Sequence, residues 1–117
     1  MQLEERTVGD VVVVEVTGEI TLKKGGDAML HGKVRGLVEQ GTKKVILRLA
    51  GVSYVDSAGL GQLVQAYSTA KNHGATLKLL EPTPRLRDLL VVTTLSTIFE
   101  IYDDEAAVLA SYGVQPA

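Results

Sequence analysis

A chain of 117 residues with 45% hydrophobic content is long enough for one domain with a real core, spanning residues 1–117, and too short for two. A net charge of −2 and a pI near 5.6 argue against a nucleic-acid or anionic-membrane surface, and the lack of cysteine excludes disulfides, thiolate zinc sites and cysteine catalysis. With no Trp, one Phe and four Tyr, the core must be built from Val, Leu and Ala, leaving little aromatic surface for stacking bases or sugars.

No apolar run approaches the roughly 18–20 residues of a membrane span, and Met1-Gln2-Leu3-Glu4-Glu5 does not open a signal peptide, so a cytoplasmic protein is expected. Leu3 to Thr7 and Val11 to Val16 flank Gly9-Asp10 and read as a hairpin. Val12, Val14 and Val16 share one face and Val11 and Val13 the other, a pattern suited to burial on both sides. The strand is expected to end at Gly18-Glu19, with a loop over Thr21 to Gly26. Asp27 then caps a helix running to about Gln40 through Leu30, Val34, Leu37 and Val38. Gly32 and Gly36 inside it are read as close-packing positions against a sheet. Lys44 to Leu49 is the clearest strand, and Ala50-Gly51 is expected to end it.

Leu60, Leu63, Val64, Tyr67 and Ala70 form one face of a second helix ending near His73. Thr76 to Leu80 is a short strand. Thr83-Pro84 reads as an N-cap and first helical residue for a helix carrying Leu86, Leu89 and Leu90. Thr93 to Thr97 breaks the pattern, Ile98 to Tyr102 is a last edge strand, and Asp103 caps a terminal helix with Ala106, Ala107, Leu109 and Ala110. Strands alternating with helices predict an α/β domain: a mixed β-sheet with an opening antiparallel hairpin and about four α-helices packed against it.

Chemistry concentrates at one junction, Tyr54-Val55-Asp56-Ser57-Ala58-Gly59-Leu60-Gly61, where a strand ends and a helix begins. The first N–H groups of a helix lack internal partners and form a weakly positive pole. Ser57 can place its Oγ there as a cap, a contribution of about 0.5–2 kcal/mol. A phosphoryl group on Ser57 would bring about −1.5 to −2 charge to the same pole, which tolerates it, while opposing any partner docked over the helix start.

Enzyme signatures are incomplete. The serine-hydrolase elbow Gly-x-Ser-x-Gly has Gly59 but Val55 in place of its first glycine. His31 and His73 read as ordinary helix histidines, and nothing in the sequence brings Asp10 to Asp56. Gly32-Lys33 matches only the end of a phosphate loop, and Asp103-Asp104-Glu105 lacks calcium-loop spacing. No catalytic residue, metal ligand or cofactor is assigned.

The stretch Val55-Asp56-Ser57-Ala58-Gly59-Leu60-Gly61, the preceding Leu47-Arg48-Leu49-Ala50-Gly51-Val52 and the earlier Val16-Thr17-Gly18-Glu19-Ile20 resemble the STAS domain of bacterial anti-sigma factor antagonists, and the order of elements agrees over essentially the whole chain. The resemblance implies transcription regulation by partner switching rather than catalysis. In that scheme the unphosphorylated protein binds an anti-sigma factor that is itself a serine protein kinase of GHKL type, and so releases the sigma factor. Phosphorylation of the serine matching Ser57 ends the association, and a PP2C-type phosphatase reverses it. Asp56, Ser57, Ala58, Gly59, Leu60 and Gly61 are the implied partner-binding residues, joined by Thr21 from the loop after Gly18-Glu19-Ile20. Many relatives carry an acidic residue where this chain has Thr21, followed here by Lys23-Lys24-Gly25-Gly26, which bears on which partner is chosen. The alternatives are a STAS scaffold or lipid-transport accessory in which Ser57 is only a cap, and a small hydrolase using Ser57.

Overall fold

A computed structural model describes residues 1–21 and 29–114. The valine run of the second strand, β2 (Val11–Ile20), is buried on both sides, as its composition demands. Val14 and Val16 belong to the core under one set of helices, and Val11 and Val13 to a second core on the opposite face. β1 (Gln2–Val8) pairs antiparallel with β2 through the register Val8↔Val11, closing the hairpin at Gly9-Asp10. Next come α1 (Met29–Glu39), β3 (Lys44–Val55), α2 (Ser57–Asn72), β4 (Thr76–Leu80), α3 (Pro84–Val92), a 3-10 turn over Leu95–Thr97, β5 (Ile101–Tyr102) and α4 (Glu105–Ser111). The sheet runs β1-β2-β3-β4-β5, with every pair after the first parallel.

The larger core joins Val14, Val45, Leu47 and Leu77 of the sheet to Leu30 and Val34 of α1, Leu63 and Ala66 of α2, and Leu86 and Leu90 of α3. The smaller one holds Val11, Val13, Ile46 and Leu80 under Val108, Leu109 and Tyr112 of α4 and its end. Burial of Tyr112 pushes its pKa up, and its hydroxyl sits between the carbonyls of Val45 (2.9 Å) and Thr76 (2.8 Å). Arg6 of β1 ties down the first turn of α4 through Glu105, whose carboxyl it holds below the usual range.

Several boundaries differ from the sequence reading. β3 does not stop at Ala50-Gly51. Its register against β2 slips between Glu15 and Thr17 and again between Gly18 and Glu19, each time with an extra residue on β3. These bulges break the alternation that a period of two detects, while the strand continues to Val55. β2 likewise continues through Gly18, at φ 91°, to Ile20. The last strand is only Ile101–Tyr102, because Leu95–Thr97 takes up the segment before it. Asp104, not Asp103, caps α4 by accepting from Ala107 N at 3.2 Å, whereas Asp103 pairs with Arg87. Thr83 caps α3 as expected, accepting from Leu86 N at 3.2 Å, with Pro84 in the first turn. Gly32 and Gly36 do not pack on the sheet; a Cβ at either would meet open space. The Asp27 cap and the Lys23-Lys24-Gly25-Gly26 loop lie outside the described residues.

Candidate functional site

The site is built where β2 and β3 end together. Their last ladder pair is Ile20↔Val55, after which Asp56 N–H still donates to the Ile20 carbonyl at 3.4 Å. Asp56 is extended (φ −97°, ψ −177°), and its Oδ1 accepts from Gly59 N at 2.7 Å while its carbonyl accepts from Leu60 N at 2.9 Å. Asp56 is therefore the N-cap of α2, and the expectation that Ser57 caps it is corrected. A carboxylate offers a full negative charge to the helix pole where a hydroxyl offers only a dipole, and with the helix starting one residue earlier, at Ser57, the cap satisfies the third N–H, that of Gly59. Ser57 is the first helical residue, exposed and relieved of the capping duty. The N–H groups of Ser57 and Ala58 remain the two at this end that no helical carbonyl or cap reaches.

Replacing Asp56 with Ala is expected to cost about 1 kcal/mol through loss of the cap, with Asn retaining most of it. Thermal unfolding of the two variants checks this. Equal losses for Ala and Asn would mean that the charge, not the hydrogen bond to Gly59, is what matters.

The other proposed contact residues divide by direction. Ala58 is half-buried and Gly61 is exposed with open space around its Cα, so both face outward with Ser57. Leu60 is only 8% exposed and packs in the core. Gly59 is buried because the helix start crosses directly over the end of β2: a Cβ there would lie 1.9 Å from the Ile20 carbonyl oxygen. The close approach at Gly59 is thus internal to the domain. Thr21, next to Ile20, lies at the same end of the sheet but is 5% exposed.

Gln62 was missed by the sequence reading. It is 2% exposed, and its Oε1 accepts from Leu30 N at 3.1 Å, so α2 supplies an acceptor to the first turn of α1. The signal was present as a stripe, Gly59, Gln62 (beside Leu63), Ala66 and Ala70, at the spacing of one helix face.

Neither histidine serves Ser57. His31 Nε2 lies 2.6 Å from Thr69 Oγ1, and His73 is the C-cap of α2, 16 residues and about 24 Å along the helix from its start. Among the described residues no three His, Cys, Asp or Glu side chains converge to hold a metal ion, and no helix is long and apolar enough to cross a membrane.

Residues 2–108 match the family model for the STAS domain. The anti-sigma-B factor antagonist of Bacillus subtilis is 37% identical over 90 residues, covering 77% of this chain and 80% of that protein. A solved structure described as an anti-sigma factor antagonist from Thermotoga maritima superposes with a TM-score of 0.82 at 25% identity, covering 96% of this chain and 93% of that one. The Bacillus cell fate determinant SpoIIAA in its phosphorylated form shares the fold, with a TM-score of 0.72 at 18% identity over 95% of this chain and 99% of that one. The five-stranded mixed sheet, the strand-to-helix corner at Asp56-Ser57 and a family match running through both place this chain in the STAS domain family, among relatives named as anti-sigma factor antagonists.

Proposed function

We propose that this protein is an anti-sigma factor antagonist whose binding is switched at Ser57. The unmodified surface around Asp56, Ser57, Ala58 and Gly61 binds an anti-sigma factor that is also a GHKL-type serine kinase, and the sigma factor is released. Gly59 and Leu60 contribute to that surface through the backbone path they impose, and Thr21 through its place beside Ile20. The kinase transfers the γ-phosphoryl group of ATP to Ser57 Oγ: the Oγ–P bond forms as the bond to the β-phosphate oxygen breaks, and the hydroxyl proton leaves to a base on the kinase. Water delivered by a PP2C-type phosphatase returns the hydroxyl and releases inorganic phosphate.

The observation that supports this most is the division of labour at the corner. Because Asp56 caps the helix, the Ser57 hydroxyl carries no structural hydrogen-bonding duty at that cap and stands exposed. A phosphoryl group added there meets the N–H groups of Ser57 and Ala58, which no helical carbonyl or cap takes up, and the positive end of α2. It also lies beside the Asp56 carboxylate, which adds to the negative charge that a partner would face.

Incubation with the kinase encoded in the same genome and ATP is expected to place one phosphate on Ser57, located by peptide mass spectrometry, while Ser57→Ala stays unmodified. Modification at another residue would defeat the assignment.

A further inference from the structure

β4 covers β3 only as far as Arg48↔Leu80, whereas β2 stays beside β3 to Ile20↔Val55. Among the described residues the outer edge of β3 therefore has no strand neighbour from Leu49 to Val55. α3 runs opposite this edge, and between them lies a groove of about 390 Å³. Val52, Val55, Leu86 and Leu89 line it, with Tyr54 (48% exposed) and Val92 (80% exposed) at its mouth. Arg85 and Asp88, one turn apart on α3, give it a rim of both signs.

Unpaired strand edges are ordinarily protected by charge. The outer edge of β1 carries Glu4, Glu5 and Arg6, but Leu49-Ala50-Gly51-Val52-Ser53-Tyr54-Val55 carries none. Two bulges also lie within this stretch of β3, and bulges concentrate where a strand is re-aimed beside a functional surface. Isolated exposed valines need no explanation. A contiguous apolar groove along a bare backbone edge does.

We infer that this groove is a strand-addition site for the protein partner, taking an extended apolar segment of the anti-sigma factor along Gly51–Val55, with side chains seated between Tyr54 and Val92. This rests on the reading that the partner meets the Ser57 end of the domain, because the groove ends at Val55, two residues before Ser57. An open backbone edge is satisfied by another backbone, and the apolar walls accept alternate side chains of an extended chain. Arg85 and Asp88 complement a segment carrying one acidic and one basic residue. The two terminal strands of a second copy are poor occupants: β1 would bring Glu4, Glu5 and Arg6 into an apolar groove, and β5 is only two residues long.

The test has two arms. The isotope-labelled full chain is titrated with a short capped peptide of alternating Val and Thr bearing one terminal Lys and one terminal Asp. Amide shifts confined to residues 51–55 and 86–92 are expected, weakened about tenfold or more by N-methylation of alternate peptide bonds and by Val92→Glu, and unaffected by Ser57→Asp. Shifts elsewhere, indifference to N-methylation, or concentration-dependent self-association abolished by Val92→Glu would overturn the inference, the last assigning the groove to a second copy. In the other arm, Val92→Glu and Tyr54→Lys should each weaken binding of the purified kinase about tenfold with Ser57 intact. Unchanged binding overturns the partner assignment even where Ser57 is phosphorylated as proposed, and weakened binding upholds it even where Ser57 is not the switch.

Discussion

Ser57→Asp is expected to lower affinity for the anti-sigma factor by about 100-fold, close to 2.7 kcal/mol, while the unfolding midpoint stays within a few degrees of the parent. The two effects separate because they draw on different surroundings. Within the isolated domain, a carboxylate in the first turn of α2 meets the positive helix pole, worth about 0.3–1 kcal/mol, against some repulsion from Asp56. Within an interface closed over the same turn, it must be desolvated beside a second carboxylate without a cationic partner, and a mismatch of that kind costs several kcal/mol. Ser57→Ala removes the hydroxyl but adds no charge, so it should bind within a few-fold of the parent. Calorimetric titration against the purified partner, paired with thermal melts of all three proteins, reads both quantities. Equal binding by Ser57→Asp and parent would leave Ser57 without a switching role and favour the scaffold reading. Loss of binding accompanied by a fall in midpoint of 10 °C or so would mean that folding, not the interface, had been measured.

The elements most legible in the sequence are those whose side chains repeat faithfully. The doubled valine run of β2, the Thr83-Pro84 start of α3 and the helical spacing of Leu60, Leu63 and Ala70 all describe local physics that the tertiary structure leaves intact. β3 beyond Leu49 was illegible for a definite reason. Each bulge inserts a residue and flips which face the next side chain takes, so Leu49 and Val52 belong to the same core although three positions apart, a spacing that puts two residues on opposite faces of a regular strand. The segment hidden in this way is the one that carries both the groove edge and the approach to Ser57. At the corner itself, sequence placed the right residues together but gave the cap to Ser57 rather than Asp56. Asp and Ser are both good caps, and only the backbone path decides which of two neighbours stands one residue outside the helix. Gln62 lies on a legible buried stripe, but its role was not legible, because that rests on its partner, the Leu30 N–H, thirty-two residues away in the chain.

Gly59→Ala is expected to destabilise the domain by about 2–3 kcal/mol and to lower the unfolding midpoint by about 10 °C. The new Cβ would stand 1.9 Å from the Ile20 carbonyl oxygen, 2.8 Å from its carbon and 3.0 Å from Val55 Cγ1. The first two belong to backbone held in the β2–β3 ladder, so relief requires the start of α2 to lift from the sheet. Alanine's better helix propensity, worth about 1 kcal/mol, offsets only part of that. Lifting the helix also drags the Asp56 cap and Ser57 away from Ile20, so binding at the corner should fall together with stability. Gly61→Ala, two residues on, meets nothing within 4 Å and lies on the exposed side of the same turn. It should stabilise the fold by about 0.5–1 kcal/mol through helix propensity alone. Its methyl group would nevertheless project into any partner seated over Ser57, so the same substitution should weaken partner binding while raising the melting temperature. Opposite stability signs at positions 59 and 61 test the packing of α2 on β2, and a more stable Gly61→Ala that binds as tightly as the parent would move the partner off this face of the helix.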